Sequence, residues 1–211
     1  MGSLKRIGYE LLRHLPFTAL GTVTGILIMV VIVWGNVSSR VSHTLFYTLH
    51  PIHVVLSALV TTSMYMRYRK GSIWIAVLIG YTGSIGIATL SDAIIPYLGG
   101  SLLDVSMTFE VPFIATAKMP VIGIQKWIVV NSAALTGILI GYWRSTTRFP
   151  HAGHVLLSTW ASLFYFTTFG IADWAPLLSP IFLFLLLAVW IPCCLSDIVY
   201  PLLFVRKRKR S

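Results

Sequence analysis

His50-Pro-Ile-His-Val-Val-Leu-Ser57 and His151-Ala-Gly-His-Val-Leu-Leu-Ser158 lie 101 residues apart and share both histidines, a valine, a leucine and the serine in register. The chain has six histidines, so four of them fall in one repeated pattern. Two further matches keep the same order. Thr24-Gly-Ile-Leu-Ile28 returns as Thr136-Gly-Ile-Leu-Ile140, and Leu90-Ser-Asp-Ala-Ile-Ile-Pro96 returns as Leu195-Ser-Asp-Ile-Val-Tyr-Pro201. Two of the six acidic residues sit in the last pair. Self-similarity at this scale predicts two copies of one structural unit.

The surroundings of these motifs place them in a membrane. The chain has 211 residues, 56% hydrophobic and 10% charged, whereas a soluble domain carries about 25% charged residues. Six apolar stretches approach the ~20 residues that cross a bilayer: Leu15–Trp34, His43–Met66, Ser72–Leu98, Ile124–Trp143, His151–Ile171 and Leu177–Phe204. The run beginning at Leu15 is too long for a signal-peptide core. The fold class expected is an all-α integral membrane protein with six transmembrane helices. Residues 1–100 form the first repeat, 101–123 a connecting loop, 124–205 the second repeat, and 206–211 a basic tail.

The net charge of +10 does not point to nucleic acid, because the basic residues sit in short clusters between apolar spans. Thirteen of the 16 flank one side: Lys5, Arg6, Arg13, Arg67, Arg69, Lys70, Arg144, Arg148 and the run Arg206–Arg210. Arg40, Lys118 and Lys126 fall on the other. Cytoplasmic loops carry the excess of Lys and Arg. Both termini are therefore expected in the cytoplasm, with the plasma membrane as the expected location. Asn36-Val37-Ser38 is a glycosylation sequon set close against the membrane. The adjacent Cys193 and Cys194 form no disulfide framework. A homo-oligomer is compatible with the chain.

Three spans per unit is an odd number, so the second copy enters from the opposite side. The repeats are inverted, an architecture common among secondary transporters. Counting helical rise from the flanking basic residues puts His53 about 21 Å, His50 about 26 Å and Asp92 about 33 Å above the inner face. The same count inverted puts His151, His154 and Asp197 toward the inner face. The expectation is two quasi-symmetric clusters, His50/His53/Asp92 and His151/His154/Asp197, one near each face.

Histidines one turn apart project from one helix face. Two imidazoles and a carboxylate suit a divalent transition metal such as Zn²⁺, Fe²⁺ or Mn²⁺. Ionisable groups inside a membrane are costly and mark function. Ser57 and Ser158, four residues beyond each pair, are candidate supporting groups, or they bond their own backbone. Cys193 and Cys194 lie one turn before Asp197 and would soften its cluster, or simply pack. Pro96 and Pro201 remove a backbone donor, which frees the carbonyl of Asp92 and of Asp197. Gly21 and Gly25, with Ala133 and Gly137, are close-packing pairs. Asp104, Glu110 and Asp173 lie outside and read as solvated loop residues, the alternative being that they draw cations to the outer mouth.

The function expected is a secondary-type transporter of a divalent transition metal, with proton coupling, and the partners are the lipid bilayer and the ion. One alternative is a membrane-embedded metal-dependent enzyme acting on a lipid or isoprenoid. Another is a haem or quinone redox protein, which needs histidines facing one another across a cofactor.

Overall fold

The computed structural model describes residues 3–68, 72–119, 122–144, 148–194 and 200–204. Its long elements are α1 (Ser3–Trp34), α2 (Ser39–Tyr68), α3 (Ile73–Thr89), a π-helical turn (Leu90–Ile94), α4 (Ile95–Leu102), α5 (Lys126–Trp143), α6 (Arg148–Phe169), α7 (Leu178–Cys194) and a short α8 (Tyr200–Leu203). Among the described residues the fold is all-α apart from one two-residue strand pair and an isolated bridge. Among the described residues, four segments are long and apolar enough to cross a membrane: Leu15–Trp34, Ser39–Arg67, Ile73–Leu102 and Ala175–Cys193. The third runs unbroken through α3, the π turn and α4, a turn beyond the expected end at Leu98.

The radial distribution of polarity is that of a membrane protein. On α1, Leu20, Val23, Leu27, Val31 and Trp34 are all exposed, at spacings of three or four residues. The interior holds Thr22, Ser42, His50, His53, Ser57, Thr61, Thr62, Ser63, Asp92, His154, Ser158 and Ser162, all fully or nearly fully buried. Apolar side chains face outward because lipid costs them nothing, and polar ones turn inward to find partners.

The helices pack in a pattern that isolates α2 and α6 at the centre. α2 touches α3, α5 and α6, and α6 touches α1, α2 and α7. α2 and α6 run antiparallel: Phe46, early in α2, meets Tyr165, late in α6, while His53 meets His154. Small residues allow the close approaches. A Cβ on Gly137 of α5 would lie 2.2 Å from the Val55 carbonyl oxygen and 2.7 Å from the Ala58 Cβ, and one on Gly141 would lie 2.6 Å from the Leu59 carbonyl oxygen. Backbone cannot yield as a flexible side chain does, so Gly137→Ala must push α5 off α2. The expected cost is about 1–3 kcal/mol or more of overpacking. Gly86, whose Cβ would meet nothing within 4 Å, is the control: Gly86→Ala should be neutral or stabilising, as expected for glycine in a helix interior. Unfolding of the two variants in detergent checks the contrast, and equal behaviour would refute it.

Residues 103–119 and 122–125 close one end of the bundle. Ser106–Met107 pairs antiparallel with Gly170–Ile171, and the Thr108 amide donates to the Phe169 carbonyl at 2.8 Å. Lys118 bridges to Gln125. The connection neither re-enters the bundle as a helix nor lies apart from it. It is tied to the end of α6.

Candidate metal centre

The centre begins at Pro96. Proline has no amide hydrogen, so a helix passing through it loses one backbone bond. Here the helix widens first: the Ile95 amide donates to Leu90, five residues back, in a π turn over Leu90–Ile94. Such turns interrupt α-helices at functional sites. In this register the next donor would be residue 96 and its acceptor Ser91. The Ser91 carbonyl therefore lacks its helical donor. Ser162 on α6 answers it, its hydroxyl lying 2.9 Å from the Ser91 carbonyl and 2.8 Å from that of Ser158. One proline therefore opens the helix, and one serine from the opposite half of the chain ties the opening down.

The wide turn presents Asp92 to α2. Asp92 Oδ2 lies 2.9 Å from His50 Nδ1 and 2.6 Å from His53 Nδ1. Asp92 Oδ1 accepts from Ser91 Oγ at 2.7 Å and from Ser158 Oγ at 2.9 Å. Its side chain is fully buried, as is that of His53. Four donors on one carboxylate fill both oxygens, an arrangement suited to an ionised group held in an apolar interior.

The second half of the chain enters through α6 and α7. The His154 ring stands edge-on to that of His53, with centroids 4.7 Å apart. Cys193 Sγ lies 3.6 Å from Ser158 Oγ. Among the described residues, two sets of side chains offer ligand atoms within 4.8 Å of one another: His50, His53 and Asp92, and His53, His154 and Cys193. All are buried, and either set could hold a metal ion.

His50, His53, Asp92, His154, Ser158 and Cys193 therefore gather around one centre, whereas the sequence reading separates them into clusters at opposite faces. Counting rise from the flanking arginines treats every helix as upright with flush ends. His154 is only six residues after Arg148, and His53 is 14 before Arg67. Tilt and offset of α6 against α2 remove that difference. Ser57, the counterpart of Ser158, is buried and has no hydrogen-bond partner among the described residues. The side chains of His151 and Cys194, and all of Asp197, lie outside the described residues.

A second polar cluster lies toward the closed end, and sequence reasoning missed it. Lys126 Nζ is 2.8 Å from Glu110 Oε1 and 3.2 Å from His43 Nε2. It also sits 4.1 Å from the centroid of the Tyr47 ring. The Tyr47 hydroxyl donates to Glu110 Oε1. The Glu110 amide donates to the Tyr165 hydroxyl at 3.0 Å. Phe46 joins the two clusters: it packs edge-on against Tyr47 and Tyr165 and stacks on His50 at 5.4 Å. His43 also lines a surface cleft of about 540 Å³ with Ser39, Arg40 and Thr168. Glu110 read as a solvated loop residue and Lys126 as a flanking charge. Only an unusual lysine two residues into an apolar stretch could have signalled the pair.

No protein-family model matches this chain, and no curated protein or solved structure matches it either.

Proposed function

We propose that the chain is a secondary-type transporter of a divalent transition metal, with one binding centre between two inverted halves. The observation that carries this reading is the composition of the centre. The first half supplies His50, His53 and Asp92, and the second supplies His154, Ser158 and Cys193, all meeting in the interior. Transporters built from inverted repeats place their substrate at such an interface, near mid-membrane and beside a broken helix. The π turn at Leu90–Ile94 is that break.

In this reading six segments cross the membrane, α1–α3 with α4 forming one unit and α5–α7 the other. The neighbour pattern supports it, because exchanging the halves maps each major contact onto another. The α1–α6 contact exchanges with α5–α2, α1–α7 with α5–α3, and α2–α3 with α6–α7. The exchange extends to single residues: Gly25 faces Thr159, and Gly137 faces Ala58, which are the positions that the 112- and 101-residue offsets relate. The basic flanks put both termini in the cytoplasm, with the plasma membrane as the site of action and the closed end outside.

A single centre would also serve an enzyme. Against a lipid substrate stands the burial of the site: His53, Asp92, His154 and Ser158 are inaccessible, which suits a small ion better than an acyl or isoprenoid chain. Transport is tested by Zn²⁺ uptake into proteoliposomes. Wild type should carry flux. His53→Ala should lose more than the ~10–100-fold that removal of a merely supporting group costs a metal site. Flux no greater than in protein-free vesicles would reject transport, and lipid turnover without flux would establish the enzyme reading instead.

A further inference from the structure

Resting on that metal reading, we propose that the ion is held by His53, His154 and the Cys193 thiolate, that Asp92 positions imidazoles and does not touch the ion, and that the site takes Zn²⁺ in preference to Mn²⁺. Asp92 was the natural ligand to expect, and the geometry argues otherwise. Two ligands on one tetrahedral ion, each about 2.0–2.1 Å from it, stand roughly 3.3 Å apart. Asp92 Oδ2 and His53 Nδ1 are 2.6 Å apart, the separation of a hydrogen bond between a ring N–H and a carboxylate. The other oxygen is taken by Ser91 and Ser158. The carboxylate has no lone pair left for a cation.

What Asp92 does instead is fix a tautomer. A histidine that donates from Nδ1 keeps its lone pair on Nε2. Metal-binding histidines are commonly oriented in this way, by giving the far N–H to a carboxylate. His53 Nε2 is buried and has no hydrogen-bond partner among the described residues. The His154 ring lies beside it, and ligand atoms of His53, His154 and Cys193 fall within 4.8 Å of one another. Closing that spread to roughly 3.3–3.5 Å, the separation of ligands around tetrahedral zinc, needs shifts of about 1–1.5 Å. Cys193 directly follows Pro192 at the last turn of α7.

The donor set identifies the ion's class. Thiolate with imidazole selects borderline-soft metals such as zinc, while Mn²⁺ and Mg²⁺ seek oxygen. Three protein ligands also leave a fourth position open, whereas structural zinc sites close all four. An open position suits an ion that must be released.

X-ray absorption at the zinc edge of the Zn²⁺-loaded full chain in detergent tests this without any variant. The expected first shell is one sulfur at about 2.3 Å with nitrogen or oxygen at about 2.0–2.1 Å. Cys193→Ser should lose the sulfur and narrow the preference for Zn²⁺ over Mn²⁺ by at least about tenfold. Asp92→Asn should keep the sulfur while weakening Zn²⁺ binding about 10–100-fold. A bound Zn²⁺ with only nitrogen and oxygen around it overturns the ligand assignment and leaves the metal reading standing. A sulfur shell with no flux in proteoliposomes sustains the assignment and overturns transport. Absence of any retained Zn²⁺ overturns both.

Discussion

Asp92→Ala should destabilise the folded protein by about 2–5 kcal/mol, because two buried ring N–H donors lose their acceptor. Its four donors do not suffer equally. Ser91 and Ser158 can turn toward each other, since their hydroxyl oxygens are already 3.3 Å apart. His50 and His53 cannot turn away, being held on the buried face of α2. Each is left with an orphaned ring N–H, and a buried donor without a partner costs about 1–3 kcal/mol. Asp92→Asn keeps one acceptor and should lose clearly less. Reversible unfolding in detergent measures the series. A loss below about 1 kcal/mol for the alanine variant would mean that the carboxylate holds little together.

The second large effect concerns the closed end. Lys126 is 3% exposed and holds Glu110, His43 and the face of Tyr47 at once. Lys126→Ala takes away the cation paired with Glu110 and leaves the Tyr47 hydroxyl as a donor to its carboxylate. Because Glu110 keeps 27% exposure, water recovers part of the cost, and about 2–3 kcal/mol is expected in place of the full 3–5. Adding Glu110→Gln removes the uncompensated charge, so the double variant should be more stable than Lys126→Ala alone. Hydrogen exchange across residues 103–125 should quicken in the single variant and recover in the double. If the double variant is the less stable, the two side chains do not act as a pair.

These two clusters differ in how far the sequence disclosed them. His50, His53 and Asp92 could be read because histidine and aspartate are rare in an apolar chain and recur at fixed offsets. A one-turn spacing also places both histidines on one face whatever the tertiary structure. The helix break was legible from Pro96, but its register was not: the wide turn spans Leu90–Ile94 with Asp92 inside it, and the Ser91 carbonyl is met by Ser162, 66 residues beyond Pro96. The meeting of His53 with His154 was illegible for a similar reason. Periodicity gives the face of a helix and its rise, not its tilt or its offset against a neighbour. Glu110 and Lys126 are 16 residues apart across a connection with no periodicity, and nothing local pairs them. The six-span count rests on hydropathy, whereas among the described residues four segments meet both length and apolarity. α5 and α6 carry Lys126, Asn131, His154 and a run of serines and threonines, because they line the interior on one side.

Asp92 has a consequence for energetics across the membrane. Among the described residues no lysine or arginine touches it; its ionisable neighbours are the two histidines. In the proposed site a divalent ion would be bound by one thiolate, with the Asp92 carboxylate close by behind His53, and the three charges sum to zero. Moving a single elementary charge through the full membrane is worth about 2.3 kcal/mol per 100 mV. A neutral loaded centre is indifferent to that field. The empty centre, left with two negative charges, would feel it unless two protons take the ion's place. Such a carrier is driven by concentration and pH, and its metal flux should not change when a potassium diffusion potential is imposed across the vesicle.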